Sequence, residues 1–184
     1  MTLKIKKHIR LSFGSSAEIT EFYRSLKVDY PKFFKMDGLS KLGFLASEMI
    51  FKDNENRFAP NESTAIICFN SLSSLDVDIQ YQATIGDNEN YFPSPSLFVY
   101  TLPNIVTGEI AIRNNFFCET SFYICEKFDA RQIAGTVQNA FCDKAVTAVL
   151  VAWIEHFEVF MAFVESGKSC LEFSENQLYK LYHS

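Results

Sequence analysis

The run Thr64-Ala65-Ile66-Ile67-Cys68-Phe69 decides the fold class. Six successive apolar or β-branched residues, with no polar residue at alternate positions, describe a strand buried on both faces. Such strands belong to sheets covered by helices on each side. Upstream, a polar loop from Asp53 to Ser63 separates this run from Met36–Ile50. There Leu39, Leu42, Leu45, Ala46, Met49 and Ile50 recur at three- and four-residue spacing, which predicts an amphipathic helix with Asp37 at its start.

Downstream, Asn70–Asn90 is rich in Ser and Asp and reads as loop. Pro93-Ser94-Pro95-Ser96 then supplies a hydroxyl cap and first-turn prolines for a helix reaching about Ile112, which Pro103 should bend near residues 99–103. Thr120–Cys125 reads as a strand, and Asp129 caps a helix over Ala130–Phe141. Ala145–His156 and Glu158–Glu165 read as two strands of a hairpin, although His156-Phe157-Glu158 offers no favoured turn dipeptide. A last helix spans about Ser174–Tyr182. Residues 1–35 form an irregular lead-in containing one short helix, Ser16–Leu26, capped by Ser15 or Ser16 with Glu18 in its first turn. This order predicts an α/β fold, helices layered around a mixed sheet, as one domain over residues 1–184.

Composition narrows the function classes. Seventeen Lys and Arg against 22 Asp and Glu leave a net charge of −5, which argues against general nucleic-acid affinity. The longest apolar stretch, Ala145–Ile154, is half the ~20 residues that a membrane-spanning helix needs. Cys68, Cys118, Cys125, Cys142 and Cys170 are widely spaced, with no zinc-like pattern, as in a chain kept reduced in the cytoplasm. Nineteen Phe and eight Tyr exceed the ordinary needs of one core, so some either overfill it or cover a partner surface or acyl cavity.

Three stretches carry a resemblance. Ser94, Pro95, Asn104, Gly108 and Ile112 match the spaced Ser-Pro…Asn…Gly…Ile pattern of one helix in the β-ketoacyl synthase family. Lys35-Met36-Asp37-Gly38-Leu39-Ser40-Lys41 resembles an early segment of those enzymes, and Ala148–Glu155 stands where they have a strand ending in Gly-Gly-x-Glu. The resemblance covers residues 35–166 and implies the N-terminal half of a thiolase-like fold.

In that family the first half supplies a nucleophilic Cys at a strand-to-helix junction, where the helix N-terminus favours the thiolate. Two His from the second half assist decarboxylation and stabilise the oxyanion. Here the chain reads as the first half alone, and His8, His156 and His183 lie outside the family's His contexts. The junction reads Phe122-Tyr123-Ile124-Cys125-Glu126-Lys127-Phe128-Asp129 in place of a small-residue elbow. Aligning Glu155 with the family's Glu puts the nucleophile near Lys127, so Cys125 is the one weak candidate, with Glu126 expected to raise its pKa.

The resemblance therefore implies a non-catalytic, chain-length-factor-type subunit. Its expected partners are a full-length β-ketoacyl synthase and an acyl carrier protein in fatty-acid or polyketide (aryl polyene-type) biosynthesis, with a homodimer possible and no cofactor or metal. Thr120, Phe122 and Ile124 would lie in an interface strand, with Leu97, Phe98 and Thr101 near the partner's acyl tunnel. Two alternatives stand beside it. One is a small enzyme using Ser73, Ser74, Asp76 and Asp78 after the first buried strand. The other is a homodimeric acyl-carrier-binding or structural module, with Lys4, Lys6, Lys7 and Arg10 as the docking patch.

Overall fold

The computed structural model describes residues 2–86, 91–167 and 171–184; Cys170 and the end of the Asn70–Asn90 segment lie outside them. The elements run β1 (Leu3–Ser12), α1 (Ser16–Ser25), a 3-10 turn (Pro31–Lys35), α2 (Gly38–Phe51), β2 (Thr64–Asn70) and α3 (Leu75–Ala83). Then follow α4 (Pro95–Tyr100), α5 (Ile105–Asn114), β3 (Thr120–Ile124), α6 (Ala130–Ala140), β4 (Ala148–Glu155), β5 (Glu158–Ser166), β6 (Leu171–Glu172) and α7 (Glu175–Tyr182).

The strands form one mixed sheet in the order β3-β2-β4-β5-β1-β6. β2 pairs in parallel with both β3 and β4, while β5 is antiparallel to β4 and β1. Every residue of β2 is buried, as its unbroken apolar run requires. Ile66 and Cys68 face a core built with α1, α2 and α5, whereas Ala65, Ile67 and Phe69 face a second core built with α6 and α7. The result is helices, sheet, helices.

Residues 1–35 are not an irregular lead-in. Their first third is β1, hydrogen-bonded along β5 from Leu3↔Ser166 to Ser12↔Glu158. The apolar alternation of Leu3, Ile5, Ile9 and Leu11 is crowded by Lys4, Lys6, Lys7 and Arg10, and its phase is broken by a bulge between Ile5 and Lys7. The extra residue turns the strand over: Ile5 packs into the α6/α7 core, while Ile9 and Leu11 pack into the α1/α2/α5 core. A second correction concerns Asn70–Asn90, where Leu75–Ala83 is helical despite its polar composition and buries only Val77.

Caps fall where the side chains direct. Asp37 accepts from the amides of Leu39 and Ser40, Ser94 from Leu97, Asp129 from Arg131 and Gln132, and Ser174 from Gln177. The expected bend at Pro103 is a full break: α4 stops at Tyr100 and α5 starts at Ile105. Across it, the Tyr100 hydroxyl donates to Glu109 Oε1 at 3.3 Å, and Lys32 Nζ lies 2.8 Å from Glu109 Oε2. α2 and α5 approach closely at Gly43, where a Cβ would sit 2.5 Å from Val106 Cγ2.

Candidate functional site

β3 is an edge strand. Its inner side pairs with β2 from Thr120↔Ile66 to Ile124↔Asn70, and no strand among the described residues pairs with its outer side. Thr120, Phe122 and Ile124 share one face and Ser121 and Tyr123 the other, since side chains alternate along a strand. Phe122 packs against the α1/α2/α5 core, and Tyr123 stacks on Phe69 with ring centroids 5.1 Å apart. Ile124 is 59% exposed, and near the strand Phe117 and, on α5, Ile112 are also exposed. An unpaired edge carrying exposed apolar side chains is the arrangement that soluble proteins otherwise cover or charge.

The residues singled out on the preceding helix divide. Phe98 is exposed, with its ring 5.5 Å from that of Tyr81, and its neighbours Val99 and Leu102 are exposed as well. Leu97 and Thr101 are half-buried. The carbonyl of Thr101 accepts the Ser74 hydroxyl at 2.5 Å, which fastens α4 to the start of α3.

Cys125 ends the β3 ladder by donating its amide to the Asn70 carbonyl at 2.8 Å. It lacks the surroundings of an activated thiol. α6 begins five residues later, and its N-terminal amides are already occupied by Asp129. Burial pushes the Cys125 thiol up, and the Asp129 charge adds to this against a hydrogen bond from Gln132. The expected upward direction is found, with Asp129 in place of Glu126 as the responsible acid.

Ser73 and Ser74 lie in the turn that leads into α3. Ser74 is held by Thr101 and lies 3.3 Å from Asp78 Oδ1, and Asp76 and Asp78 both sit in the first turn of α3, where they suit the helix dipole. His156 Nδ1 lies 4.0 Å from Asp76 Oδ2, a contact sequence spacing gave no means of finding. Glu155 accepts from both the amide and the hydroxyl of Ser71 at 2.9 Å, tying the loop after β2 to the end of β4. The N-terminal basic cluster is largely neutralised: Lys6 pairs with Glu165, Lys7 with Asp53 and Arg10 with Glu158. No group of three or more His, Cys, Asp and Glu among the described residues is placed to hold a metal ion.

An open cleft of about 410 Å³ lies beyond the carboxyl ends of β2 and β4, walled by the 3-10 turn, the start of α2, the loop into α3, and α4. Two non-glycine residues with left-handed backbones enter it, Ser73 at φ 54° and His156 at φ 43°.

No family model matches the sequence. No curated protein matches it either. Solved structures do match the fold. A chain of the ishigamide ketosynthase/chain length factor superposes with a TM-score of 0.69 at 15% identity, over 91% of this chain and 63% of that one. The fold is thiolase-like, of the ketosynthase and chain length factor kind. The ketosynthase ApeO in complex with its chain length factor ApeC from Xenorhabdus doucetiae gives a TM-score of 0.65 at 13% identity, over 91% of this chain and 80% of that one. AntDE:AntF, a type II polyketide synthase acyl-carrier protein in complex with its ketosynthase bound to the hexaketide, gives 0.61 at 12% identity, over 89% and 62%. This ketosynthase-fold chain thus spans less than two thirds of two of these three. No helix among the described residues is long and apolar enough to cross a membrane.

Proposed function

We propose that this chain is a non-catalytic ketosynthase-like subunit that joins a competent ketosynthase through the outer edge of β3. Support comes first from that edge, an unpaired strand flanked by exposed Ile112, Phe117 and Ile124. The solved structures of this fold include a ketosynthase in complex with its chain length factor and a ketosynthase in complex with an acyl-carrier protein. By analogy, β3 continues a sheet into the partner, and exposed Phe98 on α4 faces the space that holds the partner's growing acyl chain. The raised thiol of Cys125 agrees with a supporting role in place of condensation.

Co-expression with a competent ketosynthase encoded nearby, followed by gel filtration, tests the proposal. The expected result is a stable one-to-one complex, and deletion of this chain should alter the length of the product made by that synthase. Separate elution together with an unchanged product would overturn it. A complex that instead contains only two copies of this chain would assign the edge to a homodimer.

A further inference from the structure

Granting that β3 meets a ketosynthase, we infer that the outer face of α3 docks into an apolar groove with basic edges on that same partner. Of the residues of α3 only Val77 is buried. Leu75 and Ile79 do not join it. At 3.6 residues per turn these two share one stripe of the helix, and Val77 lies opposite that stripe. Both are exposed, Ile79 at 61%, as is Leu72, whose carbonyl accepts the Leu75 amide at 3.1 Å. Leu72, Leu75 and Ile79 thus stand at the three- and four-residue spacing with which a helix seats its anchors in a partner's groove. Isolated exposed apolar residues are ordinary, but half of the large ones exposed among the described residues fall between Leu72 and Leu102.

Charge and position name the occupant. Asp76 and Asp78 flank the stripe, one on each side, and both are exposed. Neither pairs with a Lys or Arg among the described residues; Asp76 has His156 Nδ1 at 4.0 Å and Asp78 has the Ser74 hydroxyl at 3.3 Å. No Lys, Arg or His occurs in the sequence between Arg57 and Arg113. The face is therefore apolar with acidic borders. Its complement is an apolar groove edged by Lys or Arg, whereas an anionic lipid surface or a nucleic acid would be repelled. The stripe also continues the β3 edge. Ile124 pairs with Asn70, the last residue of β2, whose side chain accepts from the Ser73 amide at 3.0 Å and donates to the Ser73 carbonyl at 2.7 Å. Leu72 and α3 leave the sheet beside exposed Ile124, so a partner laid along β3 meets α3 next.

Biolayer interferometry of the intact chain on the ketosynthase encoded nearby tests this. L75S/I79S should weaken the complex about tenfold or more, because burying one such side chain is worth about a factor of ten. D76N/D78N should slow association and flatten its dependence on salt, as removal of steering charges does. Both variants change exposed side chains, so their melting temperatures should stay within a few degrees of the wild type. In the unaltered chain, hydrogen exchange at the α3 amides should slow when the ketosynthase is added. No complex with the wild type would overturn the reading of β3 and that of α3 together. A complex that L75S/I79S forms with wild-type affinity, or α3 amides that exchange equally fast with and without the ketosynthase, would overturn the docking of α3 and leave β3 standing. Association of D76N/D78N unchanged in rate and salt dependence would overturn the basic edges. Pairs of this chain alone, seen by light scattering and lost in L75S/I79S, would overturn the ketosynthase as the occupant.

Discussion

Arg57 grips Glu48 with both ends of its guanidinium, Nη2 to Oε1 at 2.6 Å and Nη1 to Oε2 at 2.9 Å, in a site almost closed to solvent. Arg113 adds a third donor, its Nε 2.7 Å from the same Oε1, and Arg57 Nε reaches Asn114 Oδ1 at 2.8 Å. One carboxylate on α2 thereby holds both the loop before β2 and the end of α5, the helix beside the β3 edge.

Removing one partner of such a buried pair leaves the other charge stranded. Glu48→Gln should destabilise the fold by about 3–5 kcal/mol, measured by urea unfolding, with Arg113→Met costing less because Arg57 still satisfies the carboxylate. Burial by itself would raise the Glu48 pKa, but the hydrogen bonds and charges of the two arginines outweigh it and hold the carboxyl below its ordinary 4.5. A lowered folded pKa gives stability that is complete above the unfolded value and is lost as pH falls through the folded one. Unfolding midpoints should thus decline below about pH 4.5 in the wild type, and less steeply in Glu48→Gln.

Gly43→Ala should destabilise by about 1–3 kcal/mol, because the new methyl would lie 2.5 Å from Val106 Cγ2 with Ile110 and Ile154 close behind. The double change Gly43→Ala with Val106→Ala should recover part of that loss, as double-mutant unfolding would reveal.

Thiol reactivity should follow environment. Burial pushes Cys68 up to about 12 and raises Cys125, whereas Cys142 is exposed. Iodoacetamide at neutral pH, followed by peptide mass mapping, should label Cys142 well before Cys125, with Cys68 last. Rapid and selective labelling of Cys125 would reopen it as a nucleophile.

Much of this architecture was legible because local chemistry and burial agree. The continuous apolar runs of β2 and β4, the three-and-four spacing of α2, and the helix starts at Asp37, Ser94 and Asp129 each matched their element. β1 was hidden because its bulge moves the apolar residues from one face to the other within a single strand, and because its lysines resemble a solvated tail. α3 was hidden because a helix burying only Val77 has little apolar periodicity to display. At the candidate sites, the sequence marked β3 and α4 but not the outward exposure of Ile124, nor the meeting of His156 with Asp76 across more than seventy residues. Those are consequences of sheet order, which no local pattern encodes.

The central claim is that the outer edge of β3 is where this chain meets a ketosynthase, and Ile124 tests it most directly. The side chain is 59% exposed, so Ile124→Asp should leave the melting temperature of the isolated chain within a few degrees. Light scattering on the chain mixed with the ketosynthase encoded nearby, wild type against Ile124→Asp, is the measurement. A one-to-one complex that the wild type forms and the variant loses is the expected result. An equally stable complex with the variant would contradict the assignment of this edge.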